Sequence, residues 1–159
     1  MEEKQYWCDF WLPSYFDDIK EIDVAKEVAK FFWIKKDYDK AIYYFEKTIK
    51  KHPEDFESMG FYLNVLIQKE DYETAIIKAN SFIELFPTQP NFYFYAGYAN
   101  NRTNQYKKAK ELLENGLDFV VENKSMEKDF YTQLIISCEN LNDKVKKEVY
   151  TNKLKQLQK

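Results

Sequence analysis

Glycine and proline are scarce in this chain, three and four respectively in 159 residues. The glycines stand alone at positions 60, 97 and 116, which excludes a glycine-rich phosphate loop, and flexible Gly-rich linkers are equally absent. Only two cysteines occur, Cys8 and Cys138, far apart and without paired spacing to histidine, so neither a zinc site nor a disulfide framework is expected. The single histidine, His52, precedes Pro53, where a cationic ring would complement a helix C-terminus. No nucleophile or acid is tied to it by a motif. The acid pairs Glu2-Glu3, Asp17-Asp18 and Glu54-Asp55 read as helix-start charges, and Lys107, Lys108 and Lys110 as a solvated helix face. An enzyme is not expected, nor a metal or cofactor.

No run of 18 apolar residues exists, so no membrane insertion is expected, and Met1-Glu2-Glu3-Lys4 lacks the basic-then-apolar layout of a secretory signal. As written the chain is expected in the cytoplasm, or in the periplasm or outside the cell if it is a trimmed fragment. A net charge of -3 and a pI near 5.4 argue against binding nucleic acid, which rewards excess lysine and arginine.

What fills the chain instead is Lys, Glu, Ile, Ala and an aromatic content of 18%, chiefly 13 Tyr and 13 Phe. That composition favours long helices joined by short turns, with more aromatic surface than a core of this size needs. Compared with itself, the chain repeats. Lys36-Asp37-Tyr38-Asp39-Lys40-Ala41-Ile42 returns 34 residues later as Glu70-Asp71-Tyr72-Glu73-Thr74-Ala75-Ile76, and after another 34 as Asn104-Gln105-Tyr106-Lys107-Lys108-Ala109-Lys110. Pro53 and Pro87 keep the same step of 34. Within each unit one helical face recurs: Ala41, Phe45, Thr48 and Ile49; then Ala75, Ala79, Phe82 and Ile83; then Ala109, Leu113, Gly116 and Leu117. The alanines and Gly116 mark places where helix backbones should approach closely.

The opening aromatic (Tyr38, Tyr72, Tyr106), the alanine three residues on and the closing proline resemble the tetratricopeptide repeat family. The resemblance implies an all-α fold, a right-handed superhelix of antiparallel helix pairs in a tetratricopeptide-like α-solenoid. Helices are expected near 22–36, 38–51, 54–69, 72–85, 90–103 and 106–121. The organisation read from this is a single domain over 1–159, with repeats at 22–55, 56–89 and 90–123. A degenerate fourth pair or C-terminal cap follows at 126–157. Phe130-Tyr131 echoes Phe92-Tyr93 at a spacing of 38, so four extra residues are expected within Glu122–Ser125. The stretch Glu114 to Asn123 with Asp129 to Leu134 also resembles C-terminal repeats of tetratricopeptide proteins from the Bacteroidetes lineage, which are often exported and larger.

The family resemblance further implies that the first helix of each pair lines a concave groove. The groove positions are Asp23, Lys26, Lys30 and Trp33, then Glu57, Gly60, Asn64 and Ile67, then Asn91, Phe94, Tyr98 and Asn101. Of these, Lys26, Lys30, Trp33, Asn64, Ile67, Phe94, Tyr98 and Asn101 are the candidate partner-binding residues. Lys26 and Asn64 match parts of the carboxylate clamp by which some relatives hold chaperone tails, but Phe94 and Tyr98 stand where that clamp needs basic residues. Phe94 and Tyr98 also suit packing between neighbouring helix pairs. The aromatic segment Tyr6 to Phe16, within a cap at 1–20, either covers the first repeat or docks in a groove as a built-in ligand. The expected function is a protein-interaction scaffold holding a peptide or helix of a partner protein. The alternatives are a chaperone for secreted or membrane-inserting proteins, as type III secretion class II chaperones are, and a structural fragment of a larger exported protein. A homodimer is among the assemblies considered.

Overall fold

The computed structural model describes residues 22–157, and these form eight α-helices with no strand among them. In chain order they are α1 (Ile22–Ile34), α2 (Tyr38–Lys51), α3 (Phe56–Gln68), α4 (Tyr72–Leu85), α5 (Pro90–Arg102), α6 (Tyr106–Leu117), α7 (Lys124–Asn140) and α8 (Lys144–Gln156). The N-terminal aromatic segment, with Cys8, lies outside the described residues.

The turn inside each pair is built four times over. Lys36, Glu70, Asn104 and Asn142 all adopt left-handed backbone, with φ of 60°, 63°, 62° and 56°. At each, the next residue's N–H reaches back five positions: Asp37 to Phe32, Asp71 to Leu66, Gln105 to Asn100 and Asp143 to Cys138, at 2.8–3.0 Å. This closes off the carbonyls left open at a helix C-terminus. In three of the four turns that same residue then caps the following helix. Asp37 accepts from the Lys40 N–H, Asp71 from Thr74 and Asp143 from Lys146. One dipeptide thus ends one helix and begins the next. The fourth pair has Lys144 and Lys147 in place of the tyrosine and alanine, yet it carries the same turn.

The structure forms two compact units, one reaching Ser58 and the other running from Met59. In the first, α1 packs on α2. Phe32 stacks parallel to Tyr44 at 5.6 Å, and Ala29, Ala41, Phe45 and Thr48 are buried. In the second, α5 packs against α4 and α6, and α7 against α6 and α8. Phe82 meets Phe92 at 5.5 Å, Phe94 meets Phe130 at 5.5 Å and Tyr131 stacks on Tyr150 at 6.0 Å. The repeating face read from the sequence is the buried one: Ala75, Ala79, Phe82, Ala109, Leu113 and Gly116 are buried, and Ile83 and Leu117 half-buried.

Gly116 explains itself at the α5–α6 contact, where an added Cβ would fall inside contact distance of Tyr93 Cβ. Polar ties lock the last helix. Lys110 pairs with Asp143 at 2.5 Å, and Glu114 accepts from both Lys146 Nζ and Tyr150 OH at 2.6 Å.

Two boundaries differ from expectation. Helix α6 stops at Leu117 rather than near 121, because Phe119 and Val120 turn back to the Gly116 and Leu117 carbonyls and bring the Phe119 ring to 5.6 Å from Tyr93. The four extra residues do not lengthen a loop within 122–125. Helix α7 begins 18 residues after α6 does, the same interval as from α4 to α5, but runs 17 residues against 13 for α5. The surplus is one additional helical turn ahead of Phe130. Four residues advance a helix by about 400°, nearly a full revolution, so the buried face stays in register.

Candidate functional site

In the first unit, the Lys26 side chain is only 12% exposed, and its ammonium lies 3.3 Å from Asp55 and 2.6 Å from Glu57. Burial works against its charge, but these two carboxylates outweigh that and hold it above the ordinary lysine value. Asp55 is itself half-buried, which opposes its ionisation. Hydrogen bonds from the Ser58 hydroxyl and N–H, with the Lys26 charge, nevertheless bring it below the usual carboxylate range. Lys26 therefore ties α1 to the start of α3, with its charge already matched. Lys30 pairs with Glu27 at 2.8 Å, and Trp33 is half-buried. The side chain of Asp23 lies outside the described ones.

In the second unit the candidates divide by role. Asn64 donates to Tyr95 OH at 2.9 Å and accepts from Gln68 at 2.6 Å, linking α3 to α5. Ile67 is half-buried, Asn91 is exposed, and the position of a Cβ on Gly60 is open, with nothing within 4 Å. Phe94 packs into the aromatic contact with Phe130 and lies 6.2 Å from Tyr98. Asn101 does not face outward. It is 6% exposed, donates to the Gln133 carbonyl at 3.0 Å and accepts from Ser137 Oγ at 2.7 Å, so its amide joins α5 to α7.

Tyr98 and Asn101 border a cleft of about 290 Å³ between the C-terminal end of α5 and the C-terminal half of α7, completed by Arg102, Asn104, Tyr106, Gln133 and Ile136. The Arg102 guanidinium is exposed, donates to Tyr72 OH at 3.2 Å and lies 5.5 Å over the Tyr72 ring. That hydrogen bond keeps its pKa raised. Tyr106 OH donates to Asn104 Oδ1. The cleft offers aromatic walls, amides able to pair with a peptide backbone, and one cation whose outer N–H groups face solvent. Arg102, Tyr106, Gln133 and Ile136 were not among the sequence-derived candidates. The signal was present: the 38-residue step that relates Phe130 to Phe92 also carries Tyr98 onto Ile136.

Elsewhere, His52 caps α2 through its backbone N–H to Thr48, and its Nδ1 lies 3.4 Å from Glu54. Cys138 is fully buried, and burial pushes its thiol pKa up, away from reactivity. Among the described residues no group of three His, Cys, Asp or Glu side chains could hold a metal, and no helix is long and apolar enough to cross a membrane.

A sequence model of the tetratricopeptide repeat matches residues 31–55. None of the curated proteins matches the chain in sequence. Among solved structures, MamA from Desulfovibrio magneticus RS-1 aligns with a TM-score of 0.73 at 18% identity, covering 87% of this chain and 76% of that one. The TPR2B domain of yeast Sti1 in complex with pHsp70 aligns at 0.68 with 22% identity, covering 74% and 96%. The first TPR of Spaghetti (RPAP3), bound to the HSP90 peptide SRMEEVD, aligns at 0.68 with 18% identity, covering 79% and 96%. The resemblance to tetratricopeptide proteins is thus shown, and the fold is theirs: all-α, made of antiparallel helix pairs of the tetratricopeptide solenoid class.

Proposed function

We propose that this chain is a scaffold that holds a peptide or helix of a partner protein on the first helices of its pairs, with the α5–α7 cleft as the principal contact. The observation that carries this is the cleft itself. Tyr98 and Ile136 offer apolar anchors beside Gln133 and an exposed guanidinium, the mixture of one or two aromatic anchors with a polar rim that dominates peptide recognition. Two structures with the same fold hold partners named as pHsp70 and an HSP90 peptide, which supports protein binding as the class of function. The aromatic Phe94 and Tyr98 favour a peptide with apolar anchors over a purely acidic tail. Of the remaining sequence candidates in the second unit, Asn64 and Ile67 are secondary contacts in this reading, Asn101 borders the cleft and Phe94 supports it from behind, while Lys30 and Trp33 belong to the first unit and are not part of it.

The test is selection of peptides from a displayed library on the full chain, followed by titration calorimetry of the enriched sequences. Tyr98→Ala should weaken them at least tenfold without altering the thermal melt. Peptides that bind Tyr98→Ala, Arg102→Ala and the parent chain equally would reject the cleft.

A further inference from the structure

Helix α8 has one face with no neighbour among the described residues. Tyr150 is buried, and Leu154 and Leu157 pack against the cluster around Tyr131 and Leu134. On the opposite side Val145 is 75% exposed and Val149 46%, with Leu141 just ahead of the helix at 39%. At about 100° per residue, Val145, Val149, Asn152 and Gln156 form a single stripe, with Lys144 and Lys155 beside Glu148 along one edge and Lys146 and Lys153 along the other. Lys146 pairs with Glu114, and Lys153 lies over the Tyr131 ring at 5.7 Å. Lys144 and Lys155 are exposed and make no ion pair among the described residues. Helix α8 holds five lysines against one glutamate in a chain whose net charge is -3.

The complement to that surface is written at the other end of the chain. Residues 1–21 contain six carboxylates, Glu2, Glu3, Asp9, Asp17, Asp18 and Glu21, against two lysines. The same stretch carries six aromatics, from Tyr6 to Phe16. We infer that the outward face of α8 is a docking surface for residues 1–21 of a second copy of this chain. The lysine edges attract the carboxylates, and the valine stripe receives aromatic rings. Aromatic side chains bury roughly 150–250 Å² each, so a few of them reach the ~800 Å² per partner of a stable interface. Reciprocal exchange closes a dimer, while one-way exchange builds a chain of copies. An anionic membrane is the poorer occupant, because the exposed Asn152 and Gln156 amides of the stripe can pair with a peptide backbone but would lose their hydrogen bonds in lipid. This goes beyond the peptide-binding reading and uses a different surface.

The test is sedimentation velocity of the full chain over a range of concentrations, at low and at high salt. Self-association that weakens with salt is expected. Lys144→Glu combined with Lys155→Glu should leave the chain monomeric, as should Glu2→Lys combined with Glu3→Lys and Asp9→Lys. Mixing the two variants should restore a complex, since the reversed N-terminal segment of one then faces the reversed α8 of the other. Val145→Glu, at a site with little to disturb in the fold, should also dissociate the assembly. A parent chain that stays monomeric at every concentration, association that survives the α8 substitutions, or failure of the mixture to re-associate would each overturn the inference. Binding of the parent chain to phosphatidylserine vesicles through α8 without self-association would assign the face to membranes instead.

Discussion

Replacing glycine by alanine should have opposite consequences at two helical positions of this chain. Gly60 is the fifth residue of α3, and a Cβ there meets nothing within 4 Å. Alanine restricts the unfolded chain and favours the helix by about 1 kcal/mol, with no steric cost to offset it. Gly60→Ala should therefore raise Tm by roughly 2–4 °C for a domain of this size. Gly116 lies on α6 with Tyr93 Cβ against the site of any added methyl, and Phe130 Cε1 is 3.0 Å from that point. A Cβ atom cannot rotate away, so α5 and α6 must separate. Overpacking of this kind costs about 1–3 kcal/mol, which exceeds the helix gain and leaves Gly116→Ala destabilised. Gly97 is intermediate, because the obstructing atoms are the branched end of Leu113, which has some rotameric freedom. Urea unfolding followed by circular dichroism should rank the variants Gly60→Ala, Gly97→Ala, Gly116→Ala from most to least stable. A Gly116→Ala protein at least as stable as the parent would refute the argument that this glycine exists to let two helices meet.

Glu70 is exposed and left-handed, so Glu70→Gly should stabilise by about 0.5–1 kcal/mol, read as a higher urea midpoint; a loss would mean that the Glu70 side chain contributes more than its backbone strain costs. Asn101→Leu removes the shorter of the two acceptors of the Ser137 hydroxyl, leaving it the Gln133 carbonyl at 3.1 Å, together with two donor contacts to Gln133, and should cost about 1 kcal/mol of thermal stability while also weakening cleft ligands. Asp143 is held below its ordinary pKa by the hydrogen bond from Lys110, and Glu114 by Lys146 and Tyr150 acting against burial. With Asp55, these groups lend stability that is present above their unfolded pKa of about 4 and is lost as pH falls through the depressed folded values. Lys26 and Lys110 are shifted upward, so their share is fully present below the unfolded value of about 10.4 and is lost as pH rises through the raised folded values. Tm should accordingly be flat between about pH 5 and 9, and Glu114→Gln should flatten the acid limb; an acid limb unchanged in that variant would remove Glu114 from the account.

How much of this was legible beforehand follows from what each feature depends on. The 34-residue phase, the buried face from Ala41 to Leu117 and the starts of α2, α4 and α6 are local properties of pattern, and the structure places all of them as read. The orientation of Asn101 is not local. It depends on Gln133 and Ser137 of α7 standing opposite, which a register counted within α5 cannot reveal. Lys26 reads as a free cation until Asp55 and Glu57 are brought to it by the turn after Pro53. Tyr98 and Asn101, readable from the repeat, border the cleft, but its far wall belongs to the first helix of the divergent fourth pair, where the family pattern gives no guidance.

The extra turn at the head of α7 shows where this architecture can absorb length. Adding four residues there leaves every later side chain pointing as before, whereas two would rotate α7 by about 200° and turn its core outward. The turns at Lys36, Glu70, Asn104 and Asn142 have no such tolerance, because one dipeptide both closes a helix and starts the next. For anyone grafting a loop, a tag or a new binding segment into this chain, the usable seams are the heads of the first helices, in steps of one helical turn.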